Sequence, residues 1–474
     1  MTAPGIRAAT DSTASSGDLR KRESTVRWVV LICAIAILFD GYDLVVYGTI
    51  VPTLLKDASH LGTVTPAVAG QLGSYALIGV LVGALTAGAI SDHIGRRKLM
   101  LVNIAWFSIG MAATAFANSV AAFGILRFIT GIGVGALVAT AGAIVAEFAP
   151  PGRRNLYNAI VYCGVPAGGV MASLFAILFH DAIGWRGLFL VGATPILFLL
   201  PMAIAKLPES PLWLESRGRH AEAVAASQRT GIPLVAPEAT GAPAAAPQAT
   251  RAAKAQEKSG FAAIFSPRYL APTIFLGFMS FAGLLLTYGL NTWLPVIMGQ
   301  HGYNTSGSLL FLLTLNLGAI IGALLASRIA DRIGPKWVIA GTFLLAAAAL
   351  LILPFRLPFA VLLLLIAAAG IGTIGTQVLV YGFVSNFYES RARGAGVAWC
   401  AGFGRLGGIF GPLIGGFLIT AGISVTLAFQ LFAIVAVFGA LVTLLPRQPK
   451  DVETPLNPAK AEALEADAAV TPAH

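Results

Sequence analysis

Asp40 and Asp43 stand in the segment LFDGYDLVVYG, near the start of the first of many long apolar stretches. A charged side chain at the centre of a membrane helix opposes insertion by roughly 2.5 to 3.5 kcal/mol, so an acid kept there marks a functional site. Residues three apart on a helix share a face, which lets both carboxyls look into one cavity. Protonation removes their desolvation penalty, and a change in the exposure of the cavity lets the proton go again. The pair therefore has the chemistry of a proton-coupling site. The competing reading is a pair of polar residues near the membrane interface, satisfied by backbone groups or by a neighbouring Arg.

An anionic solute needs a cation to meet it. Arg127 lies inside the fourth apolar stretch, and Arg405 lies in GFGRLGGIFGPLIGG inside the eleventh. The planar guanidinium fork binds a carboxylate through two parallel hydrogen bonds. For Arg405 the alternative is a packing residue snorkelling toward an interface, and for Arg127 it is a partner for one of the first-helix acids. Rings to stack on a planar solute are offered by Tyr47 beside the carboxylates, Tyr381 in the tenth stretch, and Trp399 and Phe403 near Arg405. Tyr42, Tyr288 and Trp293 are further aromatic groups of the same kind. Asn316 and Gln377, in the eighth and tenth stretches, can donate to or accept from a ring hydroxyl.

The elements that carry these residues are membrane helices. With 57% hydrophobic and 11% charged residues among 474, and a mean hydropathy of +0.81, the chain matches no soluble globular domain. Stretches of the roughly 20 residues that cross a bilayer recur along it. Twelve are predicted, at 26–55, 69–90, 99–117, 121–146, 156–179, 188–205, 269–298, 309–327, 337–354, 359–387, 394–420 and 423–445. The expected organisation is a tail at 1–25, a six-helix bundle at 26–206, a linker at 207–267, a second six-helix bundle at 268–446 and a tail at 447–474. The fold class is thus an all-α membrane protein of twelve transmembrane helices in two pseudo-repeats.

The net charge of +10 does not point to nucleic acid, because the basic residues mark topology. They cluster before the first stretch (Arg20, Lys21, Arg22, Arg27) and after the second, fourth, sixth, eighth, tenth and twelfth, while the alternate loops hold only Lys56, Arg186 and Arg356. The positive-inside rule then puts both termini in the cytoplasm. The N-terminal 25 residues carry no cleavage-type signal, so the first helix is expected to stay as an anchor. Cys33, Cys163 and Cys400 fall inside apolar stretches without metal-ligand or CxxC spacing, and no metal or cofactor is expected. The linker turns Ala/Pro-rich at VAPEATGAPAAAPQATRAAKAQEKSG, with a short surface helix expected at 211–228 before it.

The halves echo each other. DHIGRRK at Asp92 matches DRIGPKW at Asp331, and VPTLL at Val51 is echoed by LPVIM at Leu294. The first of these loops contains G-x-x-x-D-x-x-G-R-R (Gly88, Asp92, Gly95, Arg96, Arg97) and resembles the signature loop of the major facilitator superfamily; Ser327, Asp331, Gly334, Pro335 and Lys336 give a degraded copy. Arg127, in RFITGIGVG, stands where the fourth helix of that superfamily carries its Arg, and PESPLWL at Pro208 resembles the segment after the sixth helix of its solute symporters. D-G-Y-D from Asp40 to Asp43, followed by Gly48 and Pro52, closely resembles the first-helix motif of the aromatic acid:proton symporters. The resemblance implies the major facilitator fold, a role in substrate handling for Arg405, and substrate bound between rocking halves.

The signature loop has a physical account of its own. Asp92 at the end of the second helix lies within reach of helix N-termini and of Arg96 and Arg97, contacts available only when the inner ends of the halves are close. It is expected to act as a latch, the competing reading being a solvated turn that carries topology charges. Glu147 with Arg153 and Arg154 fits a similar gate, and Gly95 and Asp331 complete the gating set.

The expectation is a monomeric, bacterial inner-membrane symporter that imports an aromatic carboxylate of the benzoate or hydroxybenzoate type with protons. No G-x-x-x-x-G-K-[ST] is present to draw energy from ATP, and no enzyme chemistry is expected. The rivals are a proton symporter of a sugar or dicarboxylate, a drug:proton antiporter, and a ligand receptor built on a transporter fold. The antiporter reading is weakened because G-P-x-x-G-G fits Gly411 to Gly416 in the eleventh stretch, whereas the fifth has its Gly and Pro out of register.

Overall fold

The computed structural model describes residues 16–150, 153–234 and 261–446, and among these no strand occurs. Residues 1–15 and 447–474 of the tails, 235–260 of the linker and the Asp92 side chain lie outside the described residues. Helices α1 (Ser16–Lys56), α2 (Pro66–Ile94), α3 (Arg96–Ala115), α4 (Val120–Phe148), α5 (Arg154–Tyr162), α6 (Gly164–Ala193) and α7 (Pro195–Lys206) form the first half. Two short helices follow, α8 (Pro211–Ser216) and α9 (His220–Thr230), where one was expected; Gly218, with φ +70°, turns the chain between them. Trp213, Leu214 and Ala223 bury one another there, so the front of the linker has a small core of its own. The second half holds α10 (Phe261–Ile264), α11 (Leu270–Gln300), α12 (Thr305–Ile333), α13 (Pro335–Ile352), α14 (Phe359–Gly370), α15 (Thr376–Phe387), α16 (Ser390–Thr420) and α17 (Val425–Leu444). Ile371–Gly375, a single π-helical turn, joins α14 to α15.

Polar side chains start the helices at one end of the bundle. Thr65, Ser119, Asn304 and Ser424 each accept a hydrogen bond from the N–H three residues on, satisfying a donor that the first turn leaves free. At the opposite end lie the basic loops. The exterior is apolar, with Leu85, Ile125, Leu197, Leu364 and Phe417 exposed, as a surface solvated by lipid tails requires.

Among the described residues, eleven helical stretches are long and apolar enough to cross a membrane, against the twelve expected. The difference lies in Leu156–Lys206, a run of 51 residues counted once. As one straight helix it would reach about 75 Å, more than twice a bilayer core. Gly184 breaks it with φ +63° and ψ −179°, a conformation few other residues adopt. Before that glycine the chain runs alongside α1, Gly168 lying against Leu38 and His180 bonding Thr53. After it the chain runs back, Leu188 accepting from Tyr42, Phe198 packing on Phe39 and Lys206 standing over Trp28.

Close helix pairs recur in the same order in both halves. A Cβ on Gly168 would stand 1.9 Å from the Leu38 carbonyl oxygen, which joins α6 to α1; Gly83 against Ile132 joins α2 to α4 equally closely. In the second half Gly407 against Phe281 joins α16 to α11, and Gly370 against Leu315 joins α14 to α12, each with 2.0 Å to the carbonyl oxygen. Pro52 and Pro295 fall inside α1 and α11, as the sequence echo predicts.

The halves meet at the end remote from the basic loops. Ser74 donates to the Ile409 carbonyl at 2.7 Å, joining α2 to α16. Gly48 lies against the Asn291 backbone, joining α1 to α11, and Gly169 lies against the Asn316 side chain, joining α6 to α12.

Candidate functional site

The two acids of α1 have different partners. Asp43 is fully buried and forms an ion pair with Arg127 of α4, itself 1% exposed. The guanidinium lies 5.2 Å from the centroid of the Tyr47 ring and 5.8 Å from that of Phe189. Tyr47 in turn donates to the Ala69 carbonyl at 2.5 Å. It therefore positions Arg127 instead of opening onto a solute. A buried pair of this kind costs desolvation on both sides, and losing either partner leaves an uncompensated charge.

Asp40 is turned toward the other half. It lies within electrostatic range of Arg405 on α16, and Arg405 is in range of Tyr162, Tyr288 and Tyr381 as well. These five side chains come from α1, α5, α11, α15 and α16, so helices of both halves bring them into one charged and phenolic cluster. Asp40 is 5% exposed, while Arg405 and the three tyrosines are half-buried, although all five lie within membrane-crossing lengths of helix. One cation, one carboxylate and three phenol rings, from helices of both halves, are thus grouped within electrostatic range. Tyr288 was legible as an aromatic candidate; Tyr162 was missed, and the signal available for it was a phenol well inside the apolar stretch at 156–179, which also holds Tyr157 near its start.

The π turn helps to aim α15. Its wider turn seats Gly372 against the Thr342 carbonyl and lets Thr376 donate to the Thr342 hydroxyl at 2.8 Å. Gln377 and Tyr381 follow, one helical turn apart on the same face. Gln377 donates to the Ser280 hydroxyl at 3.0 Å, and its buried carbonyl oxygen takes no partner among the described residues.

Three other expected site residues lie elsewhere. Trp399 and Phe403 stack on each other and pack on α11, Trp399 donating to the Thr273 carbonyl and Phe403 meeting Phe278. They are six and two residues from Arg405, which at about 100° per residue places them on the far side of α16. Asn316 is buried at the α6–α12 contact, donating to Asn291 at 3.0 Å and to the Leu312 carbonyl.

The signature loop is built into the first half. Gly95, with φ +97°, both ends α2 and begins α3. Glu209 of PESPLWL accepts from the backbone N–H groups of Arg96 and Arg97 at 2.9 and 3.1 Å, supplying the anion that a helix N-terminus favours. A Cβ on Gly95 would stand 2.5 Å from that carboxylate, so close approach and positive φ both require glycine. Arg96 bonds Glu147 at 2.9 Å, and Arg97 donates to the Leu207 and Ile204 carbonyls at 2.7 Å each. Glu209 is a member of this network that the sequence reading left without a role. Arg153 and Asp331 are exposed.

Comparison with known proteins decides what such a frame belongs to. The profile of the Major Facilitator Superfamily matches residues 33–324 and 305–468. The chain belongs to the Major Facilitator Superfamily. This superfamily member is 33% identical over 422 residues to the benzoate transport protein of Acinetobacter baylyi, covering 88% of each chain. It is 32% identical to the gentisate transporter of Corynebacterium glutamicum, over 87% of this chain and 85% of that one. To the 4-hydroxybenzoate transporter PcaK of A. baylyi it is 30% identical, over 88% and 90% of the two chains. In three dimensions it matches the inward open conformation of the xylose transporter XylE from E. coli with a TM-score of 0.71 at 20% identity, covering 93% of this chain and 99% of that one. It also matches a D-xylose-proton symporter with a TM-score of 0.70 at 18% identity, over 90% and 99%. A major facilitator chain is a membrane transporter, not an enzyme.

Proposed function

We propose that this chain imports an aromatic carboxylate of the benzoate or hydroxybenzoate type across the bacterial cytoplasmic membrane, together with protons, by alternating access. The observation that carries the reading is the meeting of Asp40, Arg405 and three tyrosines between the halves. Arg405 supplies a fork for the carboxylate, the phenol rings supply faces for the aromatic ring, and their hydroxyls suit ring substituents. The relatives named for benzoate, gentisate and 4-hydroxybenzoate support that substrate class.

Coupling follows from one cation serving two anions. With the site empty, Asp40 faces Arg405. When a substrate carboxylate takes the guanidinium, Asp40 becomes a buried anion without a counter-ion and takes up a proton, because an unpaired charge there is costly. Release of the proton on the other side returns Asp40 to Arg405 and displaces the substrate. One proton with one monovalent anion moves no net charge. Asp43 keeps Arg127 paired in the first half and supports this exchange.

The frame of the proposal has twelve crossings, because Leu156–Lys206 counts as two on either side of Gly184. Bundles at 26–206 and 268–446 rock about the site, the linker at 207–267 and both termini lie in the cytoplasm, and one chain is the working unit. Asp92, Arg96, Arg97, Glu147 and Glu209 form the gate at the basic-loop end, whose second-half counterpart includes Asp331.

Uptake into proteoliposomes under an imposed pH gradient tests this. Labelled benzoate or a hydroxybenzoate is expected to accumulate and to leak out when a protonophore is added. Asp40→Asn is expected to exchange substrate across the membrane while failing to concentrate it. Accumulation by Asp40→Asn at the parental level moves the proton route elsewhere, and accumulation of xylose or a dicarboxylate in place of the aromatic acid removes the substrate assignment.

A further inference from the structure

A cavity lies at the basic-loop end of the first half, between the N-terminal turns of α1, the start of α3, the end of α7 and the α8–α9 pair. Its volume is about 700 Å³. Five cations line it, Arg97, Lys98, Lys206, Arg219 and Arg229, against two carboxylates, Glu209 and Glu222. Some of these charges are already engaged. Arg219 holds Glu222 through two hydrogen bonds of 2.8 and 2.5 Å, Arg97 is bonded to the carbonyls ending α7, and Glu209 caps α3. The remaining excess is Lys98, Lys206 and Arg229, all exposed.

The rest of the lining is of another kind. Ile94 and Ile204 are 39% and 52% exposed, and Lys206 stands 5.2 Å from the centroid of the Trp28 ring. One helical turn further along α1, Leu31 continues the apolar surface onto the flank of the bundle. A cluster of cations next to an interfacial Trp and an exposed aliphatic strip fits a molecule with an anionic head and an apolar tail. A soluble anion would use the cations and leave the strip without purpose.

We propose that this cavity binds the phosphate of an anionic phospholipid, with Lys98, Lys206 and Arg229 around the headgroup, Trp28 at its edge and the acyl chains along Ile204 and Leu31. The α8–α9 pair then lies over the headgroup as a cover. The site is separate from the Asp40–Arg405 cluster and stands whether or not the substrate assignment does.

The test uses the full chain in nanodiscs of phosphatidylcholine containing bromine-labelled phosphatidylglycerol or bromine-labelled phosphatidylcholine. Quenching that depends on Trp28 is read as the difference between the parent and Trp28→Phe. Phosphatidylglycerol is expected to quench more strongly, with a preference that falls roughly fivefold in each of Lys98→Gln, Lys206→Gln and Arg229→Gln, the scale of one basic side chain at an anionic surface. Lys206→Arg is expected to keep the preference, as is Lys56→Gln at the opposite end. Excess inorganic phosphate is expected to leave the quenching unchanged. Equal quenching by the two lipids, or a preference that survives all three Gln substitutions, overturns the proposal. Loss of quenching on addition of inorganic phosphate assigns the cations to a soluble anion and overturns the lipid.

Discussion

Arg97 and Lys336 occupy equivalent places in the two halves. Each stands two residues after a positive-φ glycine, Gly95 at +97° and Gly334 at +92°. Arg97 donates to the Leu207 carbonyl just past α7 at 2.7 Å, and Lys336 donates to the Pro446 carbonyl just past α17 at 2.8 Å. In each half a cation therefore ties the start of one helix to the end of the last, where a helix C-terminus favours positive charge. The two loops share this geometry although only the first keeps the full G-R-R.

Removing that tie has a modest cost in stability. Lys336→Gln is expected to lose about 1 kcal/mol, the value of a partly solvated charge-assisted bond at a helix end. Thermal unfolding in detergent checks it, and Lys336→Arg, which keeps a donor, is expected to unfold close to the parent.

The Asp43–Arg127 pair predicts a larger effect with a diagnostic pattern. Asp43→Asn leaves Arg127 buried and charged, so a loss of about 3 to 5 kcal/mol is expected. Adding Arg127→Gln to Asp43→Asn is expected to restore part of that stability. Chemical unfolding of the single and double variants measures it; additive losses would mean that the two residues do not act as a pair.

At Arg405 geometry and charge separate. Arg405→Gln is expected to raise the half-saturating concentration of an aromatic carboxylate at least tenfold, or about 1.4 kcal/mol. Arg405→Lys should recover only part of it, since an ammonium lacks the fork. Competition by the acid and by its amide decides the matter: the amide should compete equally poorly against parent and variant.

The three tyrosines should discriminate between ring substituents. Tyr162→Phe, Tyr288→Phe or Tyr381→Phe removes a hydroxyl and keeps the ring. At least one is expected to weaken 4-hydroxybenzoate by roughly two- to tenfold, the range of a net hydrogen bond, with benzoate little changed. Equal effects on both acids would make the tyrosines walls only.

Topology can be read directly. Accessible tags at the N-terminus and near Gly241 are expected on one side of the membrane, and a tag next to Gly184 on the other. All three on one side would refute both the reversal at Gly184 and the count of twelve crossings.

Much of this frame is legible in the amino-acid sequence. Hydropathy and loop charge located the helices, and the Gly95 and Gly334 loops announced the repeat, because a one-residue link at positive φ between two helices leaves few choices of residue. Asp40, Asp43, Arg127 and Arg405 stood out since ionisable groups in lipid are costly. What the sequence alone left open was which acid faces which cation, a matter of rotation between packed helices. Trp399 and Phe403 were nearest to Arg405 along the chain but not around the helix, where two residues amount to about 200°. Glu209 was hidden for the opposite reason: it lies 113 residues from the Arg96 backbone that it caps.

The π turn at Ile371–Gly375 gives the tenth apolar stretch an unusual history in its geometry. Such a turn is an α-helix carrying one surplus residue, and every side chain beyond it is rotated by about 100° relative to an uninterrupted helix. Gln377 and Tyr381 consequently owe their direction to the length of the chain before them as much as to their own identity. Shortening that turn by one residue would swing Gln377 away from Ser280 and Tyr381 away from Arg405 with every site residue still present, so the specificity of this transporter is open to change by a single-codon deletion as well as by substitution.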